Sequence, residues 1–340
     1  MYRLKRAVRR SFAYVLYYSG LLWLYAAVRL RRRAIVLMYH RVLPADADSY
    51  SHKGIVVTPV TLDLHMAFLA RHFRVLTQGR FRQELAASSF RPRACLVTFD
   101  DGWWDNSVYA LPVLERHRIP AICFVATGYL GTDRTFWQER LARLLCIAAE
   151  RDGCELELLR AAGLDSVART DPVRTRRQAR DFVTALKAQE RVTVIRMIER
   201  LEDALSDVPE SRSLGADRFM SWDDLNTLRR SGLVAIGSHS HTHARLTTLG
   251  YQGAREELET SRRELARNGI TEVIACAYPN GDVNTSVEAA ASAAGFSLGF
   301  GIESGSVAHS SEAMHLHRIN IHEADSRSCP ELLYRILGLP

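Results

Sequence analysis

Paired cysteines are missing. The six cysteines, Cys95, Cys123, Cys146, Cys154, Cys276 and Cys329, form no C-x-x-C motif, which sets aside thiol redox sites and cysteine-rich zinc sites. Three of them fall in expected buried strands, where free Cys acts as a small hydrophobe, and this favours a reducing compartment. There is no phosphate-binding glycine loop, so nucleotide chemistry has no support, and no internal repeat, so a solenoid is excluded. Basic residues are not interleaved with aromatics in a nucleic-acid patch. The first apolar run is not followed by a small-x-small cleavage site, so a removed signal peptide is not expected. What is present, 340 residues at 47% hydrophobic, suits one large α/β domain with an insertion.

The most informative segment is Thr98-Phe99-Asp100-Asp101-Gly102, which follows the apolar run Ala94-Cys95-Leu96-Val97. The run reads as a buried strand and Gly102 as its exit turn. Two adjacent carboxylates at a strand end are costly to bury without a partner, and a bound metal would resolve the cost. The plain alternative is a helix N-cap and a surface turn. Much later, Leu233-Val234-Ala235-Ile236-Gly237 reads as a second strand and leads into Ser238-His239-Ser240-His241-Thr242-His243. A helical backbone there would place His239 and His243 on one face. Asp101 with the two histidines makes a two-His, one-carboxylate set with open positions for water and substrate. His241, lying between them, is expected to point elsewhere.

Together with Tyr278-Pro279-Asn280-Gly281, these motifs resemble in order the first three of the polysaccharide deacetylases, the nodulation-type homology group of carbohydrate esterase family four. The run Met38-Tyr39-His40-Arg41-Val42 resembles the subgroup of poly-N-acetylglucosamine deacetylases. The resemblance implies an α/β fold, a distorted (β/α) TIM-like barrel over residues 34–322. It implies Asp100 as general base and Asp101, His239 and His243 as metal ligands. It also implies the Asn280 backbone N–H as an oxyanion donor, since Pro279 has none to give. The reaction implied is hydrolysis of an N-acetyl group on an amino sugar of a surface glycan or lipid-linked saccharide. An O-deacetylase, a deformylase or a silent glycan-binding scaffold would carry much the same residues. Zinc is the expected metal, with cobalt, nickel, manganese or iron as alternatives.

Three motifs depart from the pattern. Ala277 stands where the family often has an arginine that orients the base, and Arg318 is the candidate replacement. The fourth motif, aspartate followed by tryptophan, is not visible. The fifth is ambiguous: alternation in Met314–Ile321 puts His315 and His317 on one strand face and Leu316 and Arg318 on the other. His317 is the expected general acid, and simple strand histidines are the alternative. His40, at the end of the first strand, is a candidate for lining the pocket, as is Tyr278. Trp103, Trp104 and Trp137 could stack on sugar rings or pack in the core.

Buried strands are expected at Ala34–Tyr39, Ala94–Phe99, Ile122–Ala126, Val234–Gly237, Val273–Tyr278 and His315–Ile321, with helices such as Ala254–Arg267 between them. Ser221 should cap a helix with an acidic first turn. Residues from about 140 to 215 break the barrel rhythm and read as a helical insertion, with Asp171-Pro172 as a break, and a last helix is expected in 323–340. At the N-terminus, Arg3, Lys5, Arg6, Arg9 and Arg10 precede the apolar run Phe12–Val28, and Arg29 and Arg31–Arg33 follow it. A membrane-associated helix over residues 1–33, spanning or embedded in one leaflet, is expected, with an ordinary packing helix as the alternative. Basic residues lie in this segment and as arginines elsewhere, and the net charge of +7 favours a membrane surface or an anionic substrate over nucleic acid. The expected location is a bacterial inner membrane, on its cytoplasmic face.

Overall fold

The computed structural model describes residues 2–151, 157–162, 164, 171–186, 191–308 and 310–339; Cys154 lies outside them. The elements run α1 (Tyr2–Tyr18), α2 (Leu21–Arg29), β1 (Ala34–Tyr39), β2 (Arg41–Val42), β3 (Val56–Val57), α3 (Pro59–His72), β4 (Arg74–Val75), α4 (Gln78–Ala86), β5 (Ala94–Phe99), α5 (Leu111–His117) and β6 (Ala121–Val125). Then come α6 (Trp137–Glu150), α7 (Glu157–Ala161), α8 (Pro172–Ala185), α9 (Arg191–Ala204), α10 (Trp222–Arg230), β7 (Val234–Ser238), α11 (Gly250–Arg267), β8 (Ala275–Ala277), α12 (Thr285–Ala293), β9 (Leu298–Phe300), β10 (Ser306–Val307), β11 (Ile319–Asn320) and α13 (Cys329–Ile336).

The chain divides into two compact units. The first holds residues 1–45, 53–132 and 219–340 and is built on one curled sheet. Strands β1, β5, β6, β7, β8 and β9 pair in that order, all parallel. The far edge of β1 is shared by antiparallel β10 at Ala34–Ile35 and parallel β11 at Leu37–Met38. The last strand is shorter than the expected His315–Ile321: only Ile319–Asn320 is regular, while Leu316 makes a single bridge to Phe300. The stretch from Leu316 to Asn320 therefore pairs first with β9 and then with β1.

Every residue of β1 and β5 is buried, as a parallel sheet covered on both faces requires. Alternation sorts them. Val36, Leu96, Phe124, Phe300 and Leu316 share one cluster inside the curl, and Ile35, Val97, Val125 and Ile236 share the other, under the helices. Each such side chain contributes about 1.5–3 kcal/mol on full burial. The inner register runs 34, 36, 38, 40 along the first strand and 94, 96, 98, 100 along β5. It delivers His40 and Asp100 to the same end of the curl. Sequence caps fix the helices: Thr58 accepts from the Thr61 N–H, and Ser221 forms a reciprocal box with Asp224 ahead of α10.

The expected single N-terminal helix is two helices. Gly20, at φ 82°, ends α1, and α2 leaves at 82° to it. No single helix among the described residues is long and apolar enough to cross a membrane; only the bent pair taken together has the length and composition. A spanning N-terminal helix is thus corrected by the left-handed turn at Gly20.

The second unit holds residues 46–52 and 133–218. Helices α6, α8 and α9 enclose a core of their own around Leu141, Leu144, Leu145, Val183, Leu201 and Leu205. Asp171 caps α8 ahead of Pro172. Asp217 ties in the loop 46–52 by accepting from the Ser49 hydroxyl at 2.5 Å and the Tyr50 N–H at 2.8 Å. Trp137 belongs to this unit.

Candidate metal centre

The site is built from turns at strand ends. The Asp100 N–H donates to the Tyr39 carbonyl at 2.9 Å, so the ladder runs one residue beyond β5. The chain then turns through two left-handed residues, Asp101 at φ 78° and Gly102 at φ 87°. A Cβ at Gly102 would come within 3.0 Å of Val125. After β7, Ser240 and His243 also have positive φ, 61° and 56°. The histidine pair is therefore gathered by a left-handed turn, and the helical backbone expected from its spacing is absent. Glu257 of α11 fixes that turn: its carboxylate accepts from the N–H groups of His241 and Thr242 and from the Thr242 hydroxyl, at 2.8–3.0 Å. His241 turns aside to Thr127, at 3.0 Å. Strained backbone clustered at one place is a mark of a functional site.

These turns bring three donors together. His239 Nε2 and His243 Nε2 each lie 3.4 Å from Asp101 Oδ1. The ligand atoms of the three all fall within 4.8 Å of one another. Two donors about 2.1 Å from a tetrahedral ion are separated by about 3.4 Å, so the set suits a small divalent metal. The groups behind the donors fit as well. His239 Nδ1 lies 2.8 Å from the Ala277 carbonyl, which makes it the N–H side and leaves Nε2 as the ligand. The Trp103 indole N–H donates to Asp101 Oδ2 at 2.7 Å and leaves Oδ1 to the histidines. Trp103 is fully buried between the Phe219 ring, 4.3 Å away, and the Arg41 guanidinium, 4.0 Å from its centroid. Arg41 is held by Asp105 at 2.7 Å. Burial pushes the Asp101 carboxyl up, and the hydrogen bonds to His239 and His243 outweigh it, so it sits well below the usual range.

Asp100 stands beside this cluster. Arg318 donates to both its oxygens, each at 2.7 Å, and its Nε–H donates to the Gly301 carbonyl at 2.8 Å. Burial raises the Asp100 carboxyl, but Arg318, His239 and His40 together hold it below its ordinary value. His40 Nε2 lies 4.0 Å from Asp100 Oδ2, and its buried Nδ1 has no hydrogen-bond partner among the described residues. Burial lowers the His40 pKa against the pull of Asp101 and Asp100. Asn280 has φ 57°, and its backbone N–H has no intramolecular partner among the described residues.

Two expected site residues are not brought in. The interior face takes Leu316 and Arg318, so His317 is exposed on the opposite face, its ring 5.9 Å from that of His315. His315 is held between Glu288 at 3.0 Å and Glu303 at 3.1 Å. Tyr278 is fully buried, and its hydroxyl donates to the Met314 carbonyl at 2.8 Å. Sequence reasoning missed the Ala277 carbonyl and Glu257. It weighed Trp103 for sugar stacking or core packing but not for its N–H. The proximity of Trp103 to Asp101 in the chain was the available signal.

Comparisons with known proteins bear on the family and the fold. The Staphylococcus aureus poly-beta-1,6-N-acetyl-D-glucosamine N-deacetylase is 29% identical over 112 residues, which cover 29% of this chain and 38% of that protein. The Staphylococcus epidermidis protein of the same name is 29% identical over 114 residues, 30% of this chain and 39% of that one. The chain thus spans under two fifths of the length of these curated relatives. Among solved structures, the Streptococcus pyogenes deacetylase PplD in complex with acetate superposes with a TM-score of 0.57 at 16% identity, over 89% of this chain and 98% of that one. IcaB from Ammonifex degensii gives 0.57 at 18% identity, over 90% and 97%, and these two likenesses concern the fold. The polysaccharide deacetylase family profile matches residues 87–165 and 174–299, a stretch that contains Asp100, Asp101, His239, His243 and Asn280, and the chain belongs to the polysaccharide deacetylase family.

Proposed function

We propose that this protein is a metal-dependent hydrolase that removes N-acetyl groups from amino sugars of a glycan. The observation that carries the reading is Asp101 Oδ1 at 3.4 Å from both histidine Nε2 atoms, next to a carboxylate clamped by a buried arginine. Asp101, His239 and His243 would hold the metal, most simply zinc, with cobalt, nickel, manganese or iron also suited to the donors. Such an ion supplies an activated water and polarises the amide carbonyl.

The protein's own groups do the rest. Asp100, kept ionised by Arg318, takes the proton of the attacking water as the new C–O bond forms. The Asn280 N–H donates to the developing oxyanion. His40 replaces His317 as the general acid, because it is the histidine beside Asp100, 4.0 Å away, while His317 is exposed. It protonates the nitrogen as the C–N bond breaks, giving acetate and a free amine. The names of the staphylococcal relatives point to an N-acetylglucosamine polymer as the substrate class. We extend the reading to location: a bacterial membrane surface, its cytoplasmic face favoured by the buried free thiols of Cys95, Cys123, Cys146 and Cys276.

The test is release of acetate and of free amine from N-acetylglucosamine oligomers by the full chain, with chelator and after zinc is restored. Release that stops with chelator and returns with zinc supports the reading. Protein that holds metal and releases no acetate from these oligomers overturns the substrate class.

A further inference from the structure

The N-terminal helix pair has two working faces. The inner face is built into the first unit. Ala13, Leu22, Ala26 and Leu30 are buried, and Trp23 packs on Phe68 and His72 of α3. Arg9 pairs with Asp325, and Arg10 lies 3.4 Å from Glu331 of α13. The outer face carries Val8, Phe12 and Val15 on α1, and Leu21, Leu24, Tyr25 and Val28 on α2. That spacing is one stripe per helix. With Tyr18 they are eight of the sixteen exposed large apolar side chains among the described residues, gathered in 21 positions. Such a concentration marks a contact surface.

Charge says what the surface meets. Residues 1–33 hold nine Lys and Arg and no Asp or Glu, and the first acidic residue of the chain is Asp46. The rest of the chain has 36 basic against 38 acidic residues, a balance of −2, so the whole net positive charge sits on this segment. Arg29, Arg31, Arg32 and Arg33 are exposed beside the apolar stripe of α2. An apolar stripe with an arginine border and no acid complements an anionic bilayer: acyl chains against the stripe, headgroups against the guanidiniums.

We infer that α1 and α2 dock this protein in the plane of one leaflet of an anionic membrane, through the outer stripe, without spanning it. The 82° bend and the packed inner face exclude a straight span unless the pair leaves the body. The inference stands apart from the deacetylase reading, because lipid binding and acetate release can each fail alone.

The test is sedimentation of the full chain with vesicles of phosphatidylcholine alone and of phosphatidylcholine and phosphatidylglycerol in equal parts. Binding to the anionic vesicles should be about tenfold tighter or more and should weaken with salt. Phe12→Ser with Leu24→Ser changes only exposed positions, 58% and 64% accessible, and should lower binding to both vesicles about tenfold. Arg31→Gln with Arg32→Gln should narrow the preference for anionic vesicles. Full chain that stays in solution with both vesicle types overturns the inference, as does binding indifferent to both variant pairs. Light scattering that finds a dimer dissolved by Phe12→Ser with Leu24→Ser, without vesicle binding, would assign the face to a second copy of the chain instead.

Discussion

Arg318→Met separates the two forces acting on Asp100. In the native protein a guanidinium bonds both carboxylate oxygens at 2.7 Å, and both side chains are almost wholly buried. Removing the cation leaves an unpaired buried charge, which costs about 3–5 kcal/mol of stability. The same change leaves burial as the largest influence on Asp100 and drives its carboxyl upward. Asp100 now lies below its unfolded value, so its contribution to stability is present above that value and is lost as pH falls through the folded one. In Arg318→Met that contribution shrinks, and the acid limb of kcat/KM for acetate release moves to higher pH. Arg318→Lys keeps the charge but loses the two-pronged geometry, and should fall between the two. Urea unfolding and a pH–rate profile read the two effects independently. An acid limb that stays in place in Arg318→Met, in protein shown to be folded, would refute the role given to the pair.

Three further outcomes follow from the same geometry. Trp103→Phe removes the indole N–H from Asp101 and should weaken zinc affinity about 10–100-fold, read by competition with a chelating dye. His40→Gln should lower kcat about 10²–10⁴-fold while zinc content is unchanged; a loss of zinc instead would make His40 a structural support of the ligands. Burial pushes His65 down to about 4, so its neutral form is favoured in the folded protein and protons bind the unfolded chain first. Stability should therefore fall by about 3 kcal/mol as pH drops from about 6.5 to about 4, and His65→Gln should flatten that slope in urea titrations across pH.

The parts of this protein legible in the sequence are those with local causes. Ala34–Tyr39 and, apart from Thr98, Ala94–Phe99 are apolar runs, and both are strands over those same residues. Asp100, Asp101, His239 and His243 stand next to strand ends, where a parallel sheet collects its chemistry. Arg318 was legible as a candidate, because alternation allowed only one of two faces to enter the curl, yet nothing local told which. The interior cluster of Phe300, Phe124 and Leu316 decided it, and that is a tertiary fact. The same fact turns His317 to the outer face. The bend at Gly20 was written in the sequence, but a hydropathy run averages across one glycine. The carbonyl of Ala277 and the carboxylate of Glu257 act through backbone geometry that no side-chain pattern announces.

The central claim is a metal held by Asp101, His239 and His243 with Asp100 as a separate base. Asp100→Asn tests it most directly, with zinc content and acetate release measured on the same preparation. The account predicts a full equivalent of zinc and acetate release lowered about 10²–10⁴-fold. Full turnover in zinc-loaded Asp100→Asn would contradict it.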